Sequence, residues 1–265
     1  MEIIAYSAAG LIGISLGLIG GGGSILTMPV LVYLFGINPL LATSYSLFIV
    51  GATSLAGAIA NFNRGLVNIK TALLFGSASI STVFLTRKYL IPLIPKIIFS
   101  NKNFSITENM LMMVLFAILM LAAAIAMIKD TTTQMVICAE KHSLKVGKLL
   151  SYGIAIGLAT GFLGAGGGFL LIPTLVILVG LPIKEAIGTS LFIIALNSLI
   201  GFTGDLGHFA FDWIFLFKIT TIAIVGIVIG GVVNKKVNGA KLKKGFGWFV
   251  VFMGCYIIIK EIILK

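Results

Sequence analysis

Two stretches of this chain set runs of glycine inside otherwise apolar sequence: GLIGGGGSILTMP from Gly17 and GFLGAGGGFLLIP from Gly161. Each glycine costs about 1 kcal/mol in a helix interior relative to alanine, so the four from Gly20 to Gly23 interrupt any helix drawn through them. In hydrocarbon an interruption is tolerable only where the freed backbone is buried in protein or lines a cavity. A chain with two such breaks must be built around them.

The breaks are copies of one another. Sliding the sequence by 144 residues aligns Gly13 to Gly57 with Gly157 to Gly201 without a gap, giving roughly 19 identities in about 45 positions, where chance in this composition gives about a quarter of that. Gly17 meets Gly161, Gly20 meets Gly164, Gly22 and Gly23 meet Gly166 and Gly167, Pro29 meets Pro173 and Gly36 meets Gly180. Ser46, Leu47 and Phe48 meet Ser190, Leu191 and Phe192.

Of the 265 residues, 59% are hydrophobic and 10% charged, and the mean hydropathy is +1.16. That lies far from the balance of a water-soluble domain and defines an integral membrane protein. Hydropathy places apolar segments at about 3 to 20, 25 to 36, 40 to 61, 66 to 86, 107 to 128, 149 to 163, 169 to 181, 186 to 204, 211 to 233 and 245 to 264. The expected fold is all-α and polytopic: a first repeat over 1–128, a polar connecting loop over 129–148 and a second repeat over 149–265, each with four to five helical segments and a glycine-broken first helix. Counted as two segments each, the broken helices give five per half and inverted repeats, the arrangement expected here; counted as one, they give parallel repeats.

The net charge of +11 reads as topology rather than nucleic-acid binding, because Arg87, Lys88, Lys235, Lys236, Lys241, Lys243 and Lys244 cluster between apolar spans, where anionic headgroups would meet them. Basic residues divide almost evenly between the two sides, so orientation is not given. Cys138 and Cys255 have no metal-ligand or disulfide-framework spacing. The N-terminal stretch MEIIAYSAAGLIG has an acid at Glu2 and no basic leader pattern, so no cleaved signal peptide is expected. No cofactor is expected. Nor is a metal site, since buried carboxylates are few.

Duplicated membrane proteins with interrupted helices in matching positions are characteristically secondary transporters that bind substrate at the repeat interface. A half-helix beginning inside protein offers unsatisfied N–H groups and a positive dipole end, both suited to an anion. The candidate substrate contacts are therefore Gly20, Gly21, Gly22, Gly23 and Ser24 in one copy and Gly164, Gly166, Gly167 and Gly168 in the other, the two runs facing each other. Uncharged hydroxyls follow each break, in ATSYSLF (Thr43, Ser44, Ser46) and AIGTSLF (Thr189, Ser190), and could complete an anion's hydrogen bonds. At the ends of these segments Asn61 aligns with Asp205 and Arg64 with His208, candidates for gating or proton coupling. Gly13 and Gly17 read as close-packing positions. GLIGGGGS has nearly P-loop spacing but carries Gly23 where lysine is required.

The doubled GxxGxGGG pattern with its proline, together with Ala42 to Gly57, Asn61 to Asn68, Ala186 to Gly201 and Asp205 to Trp213, resembles the TauE/SafE family of sulfite exporters. The resemblance implies a multi-pass transporter of the cytoplasmic membrane for sulfur-containing anions such as sulfite, thiosulfate, sulfonates or sulfoacetate. Its partners would be a small anion and the lipid bilayer, with no nucleic acid; a homodimer is left open. An anion channel or uniporter is the mechanistic alternative. An intramembrane enzyme using His208 and Asp205 lacks a placed nucleophile, and a purely structural membrane protein has no need of two buried breaks.

Overall fold

The computed structural model describes residues 2–95, 97–101, 104–128, 146–164, 166–233 and 239–262. Most of the expected connecting loop, with Cys138 and His142, lies outside the described residues, as do Lys235 and Lys236. Among the described residues ten α-helices carry the fold: α1 (Glu2–Ile19), α2 (Thr27–Tyr33), α3 (Pro39–Phe62), α4 (Ile69–Leu85), α5 (Glu108–Ile128), α6 (Val146–Leu163), α7 (Gly168–Val179), α8 (Ile183–Asp205), α9 (Trp213–Val233) and α10 (Gly239–Ile262). Among the described residues, six helical stretches are long and apolar enough to cross a bilayer. The chain is a multi-pass α-helical membrane protein. Among the described residues one short antiparallel hairpin, β1 (Ile97–Asn101) and β2 (Phe104–Thr107), accompanies the helices and leaves the expected all-α class standing. It precedes α5, whose start at Glu108 matches the helix N-terminus expected there.

Local chemistry sets the ends. Asn38 caps α3, its side chain accepting from Leu40 N at 3.0 Å ahead of Pro39. Asn68 caps α4 by accepting from Thr71 N at 3.0 Å, and Asp212, its equivalent 144 residues on, caps α9 by accepting from Phe215 N at 3.0 Å. After Ile19 the chain turns at Gly20 (φ 72°), and the equivalent Gly164 has φ 66°, a left-handed backbone that glycine adopts at no steric cost. Beyond that point the copies differ. Residues Gly20–Leu26 wind as a 3₁₀ helix before α2, whereas Gly166 and Gly167 turn left-handed again and α7 starts directly at Gly168. The first break is a reversal, since a Cβ on Gly23 would sit 2.5 Å from the carbonyl carbon of Ser15 in α1.

The packing is almost entirely between halves. α1 lies on α9, α4 on α6, α3 on α8, and α5 on α10. Glycine makes these seams close: Gly13 and Gly17 of α1 meet the backbone of Ala223 and Ile227 in α9, and Gly153, Gly157 and Gly161 of α6 meet Phe75, Ser79 and Thr86. Residue numbers rise together along both seams, so those pairs run parallel. The other two pairs run antiparallel: Gly51 of α3 meets Leu199 and Gly57 meets Leu191, while Gly247 of α10 meets Met127 and Gly254 meets Leu121. Helices α3 and α8 form the centre, with half of the residues of α3 and most of those of α8 buried. Outward, α9 and α10 present Ile214, Phe217, Val232, Trp248 and Phe252 at more than half exposure, an apolar girdle suited to lipid.

Candidate functional site

A cavity of ≈ 750 Å³ opens beside the first glycine break. It is lined by Leu16 and Gly17 at the end of α1, Leu191 of α8 and Ile227 and Val228 of α9, together with Gly20, Gly57, Ile187 and Gly231. At its rim Arg64 follows the end of α3 and Lys184 begins α8, both exposed. They are the ionisable lining residues, so the field in the cavity is positive and low-dielectric walls focus it. Asn61 also lines it, its amide donating to Gly57 O at 2.8 Å.

Of the expected substrate contacts, Gly20 lines this cavity, and so do two of the expected gating residues, Asn61 and Arg64. The two glycine runs do face each other: a Cβ on Gly21 would lie 2.6 Å from Gly168 Cα. They meet backbone to backbone, so this point is a packing seam rather than an open cradle. Gly22, Gly23, Gly166 and Gly167 are buried around it. The Ser24 hydroxyl turns back to Gly21 O at 2.8 Å, Ser190 turns back to Ile187 O at 2.8 Å, and Ser46 is fully buried with no partner among the described residues. Thr189 accepts from Asn68 N at 2.9 Å and so anchors the entry to α4.

Thr43 and Ser44 belong to a second cluster. The Ser44 hydroxyl donates to Asp205 Oδ2 at 2.6 Å; Arg87 Nη1 donates to the same oxygen at 3.1 Å and to Thr43 Oγ1 at 2.8 Å. Arg87 is 0% exposed and Asp205 1%. This corrects the expectation that Arg87 meets lipid headgroups. Helix α4 passes into a π-turn at Thr86–Leu90 before a 3₁₀ turn at Ile91–Leu93, so Arg87 lies inside the span and points into protein. A charge cannot be buried alone, and Asp205 at the end of α8 supplies the partner. Asp205 is thereby committed to Arg87 and Ser44, while His208 is exposed just beyond it. Sequence reasoning passed over Arg87 and Lys184. For Arg87 the signal was present: YLIPLIP continues the apolar run past it, so it sits within a span rather than between spans. Ser44 and Asn61 are 17 residues apart on α3, so the ion pair and the cavity rim stand about 25 Å apart along that helix. No group of three or more metal-binding side chains occurs among the described residues.

Broken helices packed half against half, an anion-favouring cavity at one break and a buried ion pair at the far end of the same helices define a polytopic membrane transporter. The model of the family described as Sulfite exporter TauE/SafE matches residues 5–257, and the chain belongs to that family. It is 29% identical over 262 residues to a "Probable membrane transporter protein" of Xylella fastidiosa (strain 9a5c), covering 97% of this chain and 94% of the relative. It is 26% identical over 281 residues to "Probable membrane transporter protein YunE" of Bacillus subtilis (strain 168), covering 99% of each. No solved structure matches significantly.

Proposed function

We propose that this chain is a secondary transporter that carries a small sulfur-containing anion, of the sulfite, thiosulfate, sulfonate or sulfoacetate type, across the cytoplasmic membrane. Its working parts are two inverted halves, 1–128 and 149–265, joined by the connection 129–148. The observation that carries this reading is the cavity lined by Arg64 and Lys184 with no carboxylate among its lining residues. A cation site would demand the reverse. Arg64 and Lys184 at the rim draw the anion in, and Asn61 offers a neutral amide beside them. The family to which the chain belongs supports the sulfur oxyanion as substrate class.

The test is uptake and exchange by purified protein in liposomes across sulfite, thiosulfate, sulfate, sulfoacetate and taurine. Saturable flux of one or more of the sulfur anions is expected. No flux of any would remove the substrate assignment, and electrical conductance far above carrier turnover would replace the carrier by a channel.

A further inference from the structure

The 144-residue equivalence assigns a counterpart to every part of the cavity. Leu16, Gly17, Gly20, Gly57 and Asn61 correspond to Thr160, Gly161, Gly164, Gly201 and Asp205, while Ile187, Leu191, Ile227 and Gly231 correspond to Thr43, Leu47, Val83 and Arg87. One set encloses ≈ 750 Å³. The other is packed shut. Thr43, Leu47, Val83, Arg87, Thr160 and Asp205 are all buried, whereas Asn61, Ile187 and Gly231 are only partly so and a Cβ on Gly231 would meet nothing within 4 Å. A Cβ on Gly204 would meet Cβ of Arg87 at 3.0 Å. Where the open side has Asn61 and Gly231, the closed side has Asp205 and Arg87 joined across the seam. The charged pair thus occupies the place that is space on the open side.

The guanidinium is also only half used. Asp205 and Thr43 are both held by Nη1, whereas Nε and Nη2 are buried with no partner among the described residues. Nε and Nη2 form the edge of arginine that accepts a carboxylate, phosphate or sulfur oxyanion with two parallel hydrogen bonds. Unpartnered buried donors are costly, and Thr160 nearby in the equivalence also carries an unpartnered buried hydroxyl.

We propose that the Arg87–Asp205 pair is the lock on a second vestibule, equivalent to the open cavity and reached from the opposite face, in which Arg87 receives the substrate oxyanion once the lock parts. Asp205 holds the cation while the vestibule is closed, and the incoming anion replaces it as the counter-ion. This rests on the transporter reading above and adds to it the residue that binds on the second side.

The experiment uses the full chain with Cys138 and Cys255 replaced by serine and one reporter thiol at a time, Ala60→Cys at the open cavity or Thr160→Cys at its counterpart. A membrane-impermeant charged thiol reagent should label Ala60→Cys and leave Thr160→Cys protected. Adding Asp205→Asn should raise labelling of Thr160→Cys about tenfold and lower that of Ala60→Cys, as a shift between two states requires. A merely loosened fold would raise both, and that result, or no change at Thr160→Cys, overturns the lock. In the Asp205→Asn background thiosulfate should slow labelling of Thr160→Cys, and adding Arg87→Gln should abolish that protection. Protection that survives Arg87→Gln overturns the binding role. Thiosulfate that protects neither reporter counts against the sulfur-anion reading instead, because the reciprocal labelling needs no substrate.

Discussion

Replacing Gly168 by alanine tests whether the two glycine breaks meet as described. Its Cβ would lie 2.5 Å from Gly21 Cα and 2.6 Å from the Gly21 carbonyl carbon, and closer still to that carbonyl oxygen. Carbon atoms rest at about 3.5–4.0 Å, so the runs would have to part by roughly 1 Å. Neither side can yield by rotating a side chain, because both are backbone. Gly168 is not left-handed, so no conformational strain enters, and at the first turn of α7 the gain in helix propensity is small. Overpacking of this kind costs about 1–3 kcal/mol, and the rigid partners put the expectation at about 2–3 kcal/mol. Reversible unfolding in detergent micelles would read it out. Gly180→Ala is the matched control, with φ 71° and nothing within 4 Å of the new methyl; it carries only backbone strain, about 1–2 kcal/mol. A Gly168→Ala protein within about 0.5 kcal/mol of wild type would refute the seam.

Other outcomes follow from particular contacts. Arg87→Met leaves Asp205 buried against Ser44 alone and should cost about 3–5 kcal/mol, while Arg87→Met with Asp205→Leu should recover most of it; unfolding of the single and double variants decides this. Arg64→Gln and Lys184→Gln should each raise the KM for anion uptake about threefold to tenfold at low ionic strength, with the difference shrinking in high salt. Thr189→Val strands the Asn68 amide and should destabilise by about 1–3 kcal/mol, seen as earlier thermal aggregation with unchanged substrate preference. His208→Gln should leave the uptake rate and its pH profile within about twofold of wild type, because the exposed imidazole makes no hydrogen bond to the Asp205 carboxylate; a shifted profile would restore proton coupling through this histidine.

Much of the architecture was legible before any coordinates, and the reasons are local. Apolar run length sets the number of spans, glycine chemistry sets the two breaks, and the offset of 144 residues shows that the same unit occurs twice. Equivalent caps at Asn68 and Asp212, and equivalent left-handed turns at Gly20 and Gly164, follow from residue type alone. The hydroxyls were less legible. Ser44 and Ser190 look alike in sequence, yet one bonds to Asp205 across the interface and the other to its own helix, because a hydroxyl takes whichever acceptor the packing brings within reach.

What tertiary structure alone decided is where the charges lie and which side is open. Arg87 and Arg64 are both arginines at the ends of the apolar segments read from hydropathy, but one is sealed inside the span and the other stands at a cavity rim. That difference depends on Asp205, 118 residues away in sequence, being delivered to Arg87 by the antiparallel packing of α8 on α3. The sequence by itself determined two matching halves built around broken helices. The packing made the two sides unequal, because the Arg87–Asp205 pair, one residue from each half, fills the place where Asn61 and Gly231 border open space.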